Sequence, residues 1–286
     1  MEKSGLTTRD KLKTYFETGK YPTQSQFSDL IDLLRLKEDI LTNKELVTLA
    51  NSLEAIENTF IYYYTSDIGD LKLPVVISSK GEEDQVIIVG ETLGGSERRY
   101  LFGNAPYTIK TKEFSGGKLN ENEYYNLGYQ LNQTYMITRL FGNNLQTIPD
   151  GFELGVLNDK KMPIQILKQN FGKKINVVNT GVKFINNTEI PIQYRIESAN
   201  WSDGFKTEDT VTDHYDLWDY LSFYYDADLS GSSLSINCEI YDADTDKLLS
   251  TTNLLAGQSS NYWGGSQYLR EIRNIRIECN YYIGDK

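Results

Sequence analysis

Apolar positions recur at helical spacing through the first sixty residues. Thr7 and Asp10 open a first helix with Leu12, Tyr15 and Phe16 on one stripe; Gly19 stops it and Pro22 follows. Thr23 and Gln26 then form a capping box, and Phe27, Leu30, Ile31 and Leu34 follow at i, i+3, i+4, i+7. A second capping box, Thr42 with Glu45, opens a third helix whose apolar Leu46, Leu49, Leu53, Ile56 and Phe60 are spaced 3, 4, 3, 4, a short heptad seam. So short a seam is not stable alone in water. This helix therefore packs either on its own domain or on copies of itself as a stalk. Its e and g positions (Ala50, Ser52, Glu57, Thr59) carry few charges, so salt bridges do not select its partner.

From Ile61 the period changes to 2. Tyr62 and Tyr64, Val75 and Ile77, and residues 86–89, 107–112, 134–140 and 152–157 predict short strands separated by Gly-Gly, Asn-Asn and Asp-Gly turns. Phe171-Gly172-Lys173-Lys174 reads as a linker, followed by strands over 175–179, 182–186 and 191–198. The clearest alternation comes last: Leu234, Ile236, Cys238 and Ile240, then Ile275, Ile277, Cys279 and Tyr281. The expected fold is mainly β. A helical attachment head (1–40) and a short coiled-coil-like helix (41–60) precede two antiparallel β-sandwich or barrel-like domains (61–172 and 173–286).

Charge narrows the function classes. Lys plus Arg number 29 against 40 Asp plus Glu, a net charge of −11. That balance lacks the basic footprint of a nucleic-acid binder and the basic face of a membrane-surface protein. No apolar run reaches membrane-spanning length, and the first ten residues carry no signal-peptide h-region, so synthesis in a reducing cytosol is expected. Two cysteines make no disulfide framework. Both fall on the apolar face of a strand, where buried free thiols are the expectation and a cross-strand disulfide the lesser alternative. The 21 Tyr against 11 Phe suit half-buried strands and wet interfaces.

Candidate chemistry is sparse. The one histidine, His214 between two aspartates, removes multi-histidine metal sites and reads as a solvated loop residue. No G-x-S-x-G elbow occurs. Residues 86–96 look like a strand entering a phosphate loop but lack the G-K-[ST] ending, so a β-hairpin is expected. Asp226-Ala227-Asp228-Leu229-Ser230-Gly231 opens like a calcium loop, but its twelfth position is Asn237. Residues 242–247, with Lys247 where such a loop needs Gly, read as a hairpin turn. No catalytic residue, metal ligand or cofactor site is assigned. The loop around Tyr262, Trp263 and Tyr268, set among Gly, Ser and Asn, is the candidate ligand contact. Trp201 and Trp218 share its ambiguity.

The head resembles a segment at the N-terminus of virion structural proteins, often tail fibres, of phages and prophages of Bacteroidetes bacteria. The pattern is carried by Leu12, Lys13, Phe16, Gly19, Pro22, Thr23, Gln26, Phe27, Leu30, Ile31 and Asp32, then Lys37 and Asp39. Leu33 departs from it where Ser is usual, and Leu36 where His often precedes the Lys. The resemblance implies a non-enzymatic virion subunit, a tail or head fibre or adaptor, assembled in the bacterial host cytoplasm and attached to other virion proteins by its head. Leu12, Phe16, Pro22, Phe27, Leu30 and Ile31 are the head positions implicated. A homotrimer joined along Leu46, Leu49, Leu53, Ile56 and Phe60 is expected. The alternative is a carbohydrate-binding adhesin that recognises host surface glycans.

Overall fold

A computed structural model describes residues 9–33, 41–42, 44–46, 48–49, 59–114, 116–132, 135–259, 269–282 and 284. The chain divides into two compact units, Met1–Thr48 and Leu49–Lys286. In the first, α1 (Arg9–Tyr15) and α2 (Gln24–Leu33) are joined by a turn in which Gly19 takes a φ of 85°, a conformation glycine adopts without steric penalty. Both capping boxes form. Thr23 N–H donates to Gln26 Oε1 (2.8 Å) and Gln26 N–H to Thr23 Oγ1 (3.4 Å). Thr42 N–H donates to Glu45 Oε2 (2.9 Å) and Glu45 N–H to Thr42 Oγ1 (3.3 Å). Each pair satisfies two donors that a helix start leaves orphaned. Residues 44–46 and 48–49 are helical.

The second unit is mainly β. Its described strands up to residue 170 are β1 (Phe60–Ser66), β2 (Leu73–Ser79), β3 (Gln85–Val89), β4 (Glu97–Tyr100), β5 (Tyr107–Thr111), β6 (Glu123–Gln130), β7 (Met136–Phe141), β8 (Glu153–Leu157) and β9 (Lys161–Asn170). Those after it are β10 (Val177–Asn186), β11 (Ile192–Ser198), β12 (Trp201–Ser202), β13 (Thr210–Tyr215), β14 (Tyr220–Ala227), β15 (Ile236–Asp242), β16 (Lys247–Leu254), β17 (Leu269–Arg270) and β18 (Asn274–Tyr281). They form a nine-stranded sheet ordered β17-β14-β11-β12-β7-β6-β9-β1-β4, a five-stranded sheet ordered β13-β10-β18-β15-β16, and a four-stranded sheet ordered β3-β2-β5-β8. Among the described strands no sheet closes into a barrel.

Two apolar clusters lie within this unit. The first takes Ile61 and Tyr63 of β1, Leu127 of β6 and Ile164 and Ile166 of β9, together with Val75, Ile77 and Ile109 of the four-stranded sheet. The second takes Tyr194, Ile196, Trp201, Phe223 and Tyr225 of the nine-stranded sheet with Ile236, Cys238, Ile240, Ile275, Ile277 and Cys279 of the five-stranded one. The nine-stranded sheet thus serves both clusters, and its halves meet where Trp201 pairs with Arg139. Polar side chains reinforce that joint. Tyr124 Oη accepts from Ile175 N–H (2.9 Å) and donates to Asn144 Oδ1 (2.8 Å), while Asn144 Nδ2 donates to Ile175 O (2.7 Å). Tyr215 Oη donates to Leu140 O (2.6 Å).

The sheets are not purely antiparallel, since β1 runs parallel to β9 and β10 parallel to β18. Alternation reports which face a side chain occupies, not strand direction. Phe60 is not the end of a helical seam but the first residue of β1. It pairs with Tyr100 and Lys161, and its ring lies 5.7 Å from that of Tyr100. Residues 175–186 hold one strand, β10, rather than two. Residues 86–96 form no hairpin: β3 pairs with β2, and β4 with β1. The intervening loop is held by Thr92, which exchanges hydrogen bonds with Thr65 (Thr92 N–H to Thr65 Oγ1, 2.8 Å; Thr92 Oγ1 to Thr65 O, 3.0 Å). Residues 242–247 do turn β15 into β16, with Thr245 Oγ1 donating to Asp242 Oδ2 (2.6 Å).

Candidate functional site

The head offers the most accessible apolar surface tied to the sequence reading. Capping and the Gly19 turn bring α1 back towards α2, so that the Phe16 and Phe27 rings meet edge to face at 5.7 Å, and Tyr15 Oη donates to Asp29 Oδ2 (3.3 Å). Two helices this short leave the remainder of their apolar stripe uncovered. Phe16 is 44% exposed, Phe27 49% and Ile31 60%. Leu12, Pro22 and Leu30 are half-buried. Of the residues implicated in attachment, the structure brings the Phe16 and Phe27 rings into contact, and Phe16, Phe27 and Ile31 face water. Of the proposed seam, Leu46 and Leu49 are exposed, Leu53 and Ile56 lie outside the described residues, and Phe60 belongs to β1. Tyr262, Trp263 and Tyr268 also lie outside the described residues. Trp201 is buried in the second cluster, whereas Trp218 is exposed.

A feature invisible to the sequence reading is a cleft of about 120 Å³ at the joint of the nine-stranded sheet. Phe152, Pro149 and Val177 supply apolar walls, and Arg139, Asp213 and the buried Trp201 also line it. The Arg139 guanidinium lies 5.9 Å from the centroid of the Phe152 ring. Among the described residues neither Arg139 nor Asp213 has a side-chain hydrogen bond or ion pair. An apolar-walled cleft with a few polar groups at its edge is the usual form of a small-ligand site. No motif announces it, because the loop before β8 supplies half of its lining while β7, β10, β12 and β13, scattered along the chain, each contribute only one or two residues.

Two ionisable side chains, His214 and Arg195, are buried against partners of their own. His214 is buried in β13, not in a solvated loop as expected. It inherits its inward position from the strand's pleat, and its Nε2 lies 3.3 Å from Asp219 Oδ1. Burial drives its pKa below the usual value despite the neighbouring Asp219 carboxylate. Burial alone would raise the Asp219 carboxyl, but hydrogen bonds from Arg273 (2.9 Å) and His214 hold it below the ordinary range. Arg195, also buried, lies between the Tyr135 ring (4.2 Å) and the Tyr224 ring (4.5 Å) and pairs with Glu197 at 2.7 Å. Stacking and pairing of this kind let a guanidinium reside in a core.

In the candidate calcium segment, Asp228 Oδ1 accepts the Ser230 N–H (3.0 Å), an Asx turn. Among the described residues no three His, Cys, Asp or Glu side chains are grouped to hold a metal ion, and no helix is long and apolar enough to cross a membrane. The chain matches no protein-family model, no curated protein and no solved structure.

Proposed function

We propose that this protein is a non-enzymatic virion structural subunit of a bacteriophage, a tail or head fibre or adaptor. It docks on another virion protein by its N-terminal head and displays its β unit. The observation that carries this reading is the exposed apolar face of Phe16, Phe27 and Ile31 on a doubly capped helical unit compact in its own right. A face preformed in this way loses little conformational entropy on docking. In the same reading the two apolar clusters are the interiors of two β-sandwiches sharing the nine-stranded sheet, and the helix from Thr42 joins copies into a trimer. The test is a chain beginning at Leu41. It is expected to fold with β-type circular dichroism and yet fail to join particles. Aggregation or unfolding of that chain would assign the head to the protein's own core. A strict monomer at tens of micromolar would remove the trimer.

The second reading is recognition of host surface glycans, which a displayed β unit can perform as well. The Arg139–Asp213 cleft favours it: a donor and an acceptor beside an aromatic wall suit a neutral sugar ring, which presents both hydroxyls and an apolar face. A glycan array probed with wild type, Trp263→Ala and Asp213→Asn tests it. Binding lost in either variant supports glycan recognition and indicates which surface carries it. No binding by wild type leaves the scaffold role alone.

A further inference from the structure

Cys238 of β15 and Cys279 of β18 stand directly opposite each other in an antiparallel ladder. Neither has exposed surface, and the Cys279 thiol donates to Cys238 Sγ across 3.1 Å. Directly opposed residues of antiparallel strands have Cα atoms about 4.5–5.5 Å apart, within the roughly 4.4–6.8 Å that a disulfide spans. The backbone therefore already has disulfide geometry, and the two sulfurs need approach by only about 1 Å to reach bonding distance. Either cysteine alone would be an ordinary core filler. Two in exact register, each pointing its sulfur at the other, are not explained by packing.

We propose that Cys238 and Cys279 form a disulfide site that covalently ties β15 to β18 when the protein meets an oxidising medium. The oxidant class is a small-molecule disulfide such as oxidised glutathione. One cysteine thiolate attacks it, forming a mixed disulfide and expelling one glutathione thiolate. The second cysteine thiolate then attacks the protein sulfur of that mixed disulfide, the Cys238–Cys279 bond forms, and the second glutathione leaves. The two thiol protons end on the two glutathiones, and the two electrons lost by the protein reduce the oxidant. The close pairing with Cys279, beside which a second thiolate would be repelled, and burial both hold the Cys238 thiol protonated. Exchange therefore proceeds while β18 is open from β15, during folding or on local opening, and is slow in the closed sheet. The bond closes a loop over residues 239–278, which includes β16 and Trp263.

The test uses the full-length protein in two arms, native and refolded from denaturant, each with excess oxidised glutathione. Acid quenching, alkylation with N-ethylmaleimide in denaturant and intact mass follow. In the refolded arm the expected product is a monomer lighter by two hydrogens, with no maleimide or glutathione adduct and a tryptic peptide linking Cys238 to Cys279. Its thermal midpoint is expected to rise by on the order of 5–10 °C and to fall back after reduction in denaturant. The native arm should reach the same product more slowly. Two alkylated thiols in both arms, stable glutathione adducts, or cross-linked dimers in place of the monomeric product would each overturn the proposal.

Discussion

Replacing Phe16, Phe27 and Ile31 together by alanine strips the open face of the head while leaving both capping boxes in place. Full burial of a large apolar side chain contributes about 1.5–3 kcal/mol. With 44%, 49% and 60% of these residues still open, a docking partner covers roughly half of each. That gives about 1 kcal/mol apiece and about 3 kcal/mol for the three, or about a hundredfold in a dissociation constant. Because the triple variant also removes the Phe16–Phe27 ring contact, Ile31→Asp is the companion: it keeps that contact and places a charge on the open face. The assay is the copy number of the chain in purified particles, by quantitative mass spectrometry, after co-production with the other structural proteins. Both variants are expected to fall at least about tenfold in copy number, while the β unit melts as in wild type. Incorporation of Ile31→Asp at wild-type copy number would refute the docking role of this face. A loss of β-unit stability above about 1 kcal/mol would instead show that the face packs within the molecule.

Tyr124→Phe leaves the buried Ile175 N–H without its acceptor and is expected to destabilise the β unit by about 1–3 kcal/mol, read as a lowered urea midpoint at unchanged slope. Gly155→Ala puts a Cβ 2.5 Å from Leu131 Cδ1 at a φ of 128°, so a loss of about 1–3 kcal/mol is expected, and a neutral result would show that the Leu131 side chain yields freely. His214 is held neutral by burial, so the unfolded chain takes up its proton first as pH falls. The contribution of His214 is therefore full above about pH 6.5 and declines below it, whereas that of Asp219 is lost only as pH drops below the ordinary carboxylate range. Thermal midpoints measured from pH 7.5 to 5 should fall for wild type and flatten for His214→Gln; parallel curves would place the titrating group elsewhere.

Local chemistry was legible in the sequence wherever it was decided within a few residues. The Thr23–Gln26 and Thr42–Glu45 boxes, the Gly19 turn, the 242–247 turn and the inward placement of both cysteines all follow from side chains reaching their own backbone or from a strict period of 2. The two strands central to one half of the nine-stranded sheet were not legible. β9 carries Pro163, which ordinarily argues against a strand, yet it pairs in parallel with β1 there. β6 sends Tyr124 to one apolar cluster and Tyr125 and Leu127 to the other, so its sequence shows no clean alternation.

The head's apolar stripe could be read from spacing alone, but its exposure could not, because whether an amphipathic face is covered depends on what lies opposite it. The same reason separates Phe60, which continues a heptad by count, from its place in β1, fixed by pairing with two strands remote in sequence. It also separates the aspartates around His214, which suggest solvent, from its burial against Asp219. Arg139 and Asp213 carry no pattern in the chain; only the meeting of β7, β12 and β13 places both in the lining of one cleft. Periodicity and capping are short-range and are written residue by residue. Strand direction, register between distant segments, and the choice of which polar side chains are left facing an opening are set by contacts between remote parts of the chain, and only the tertiary structure decides them.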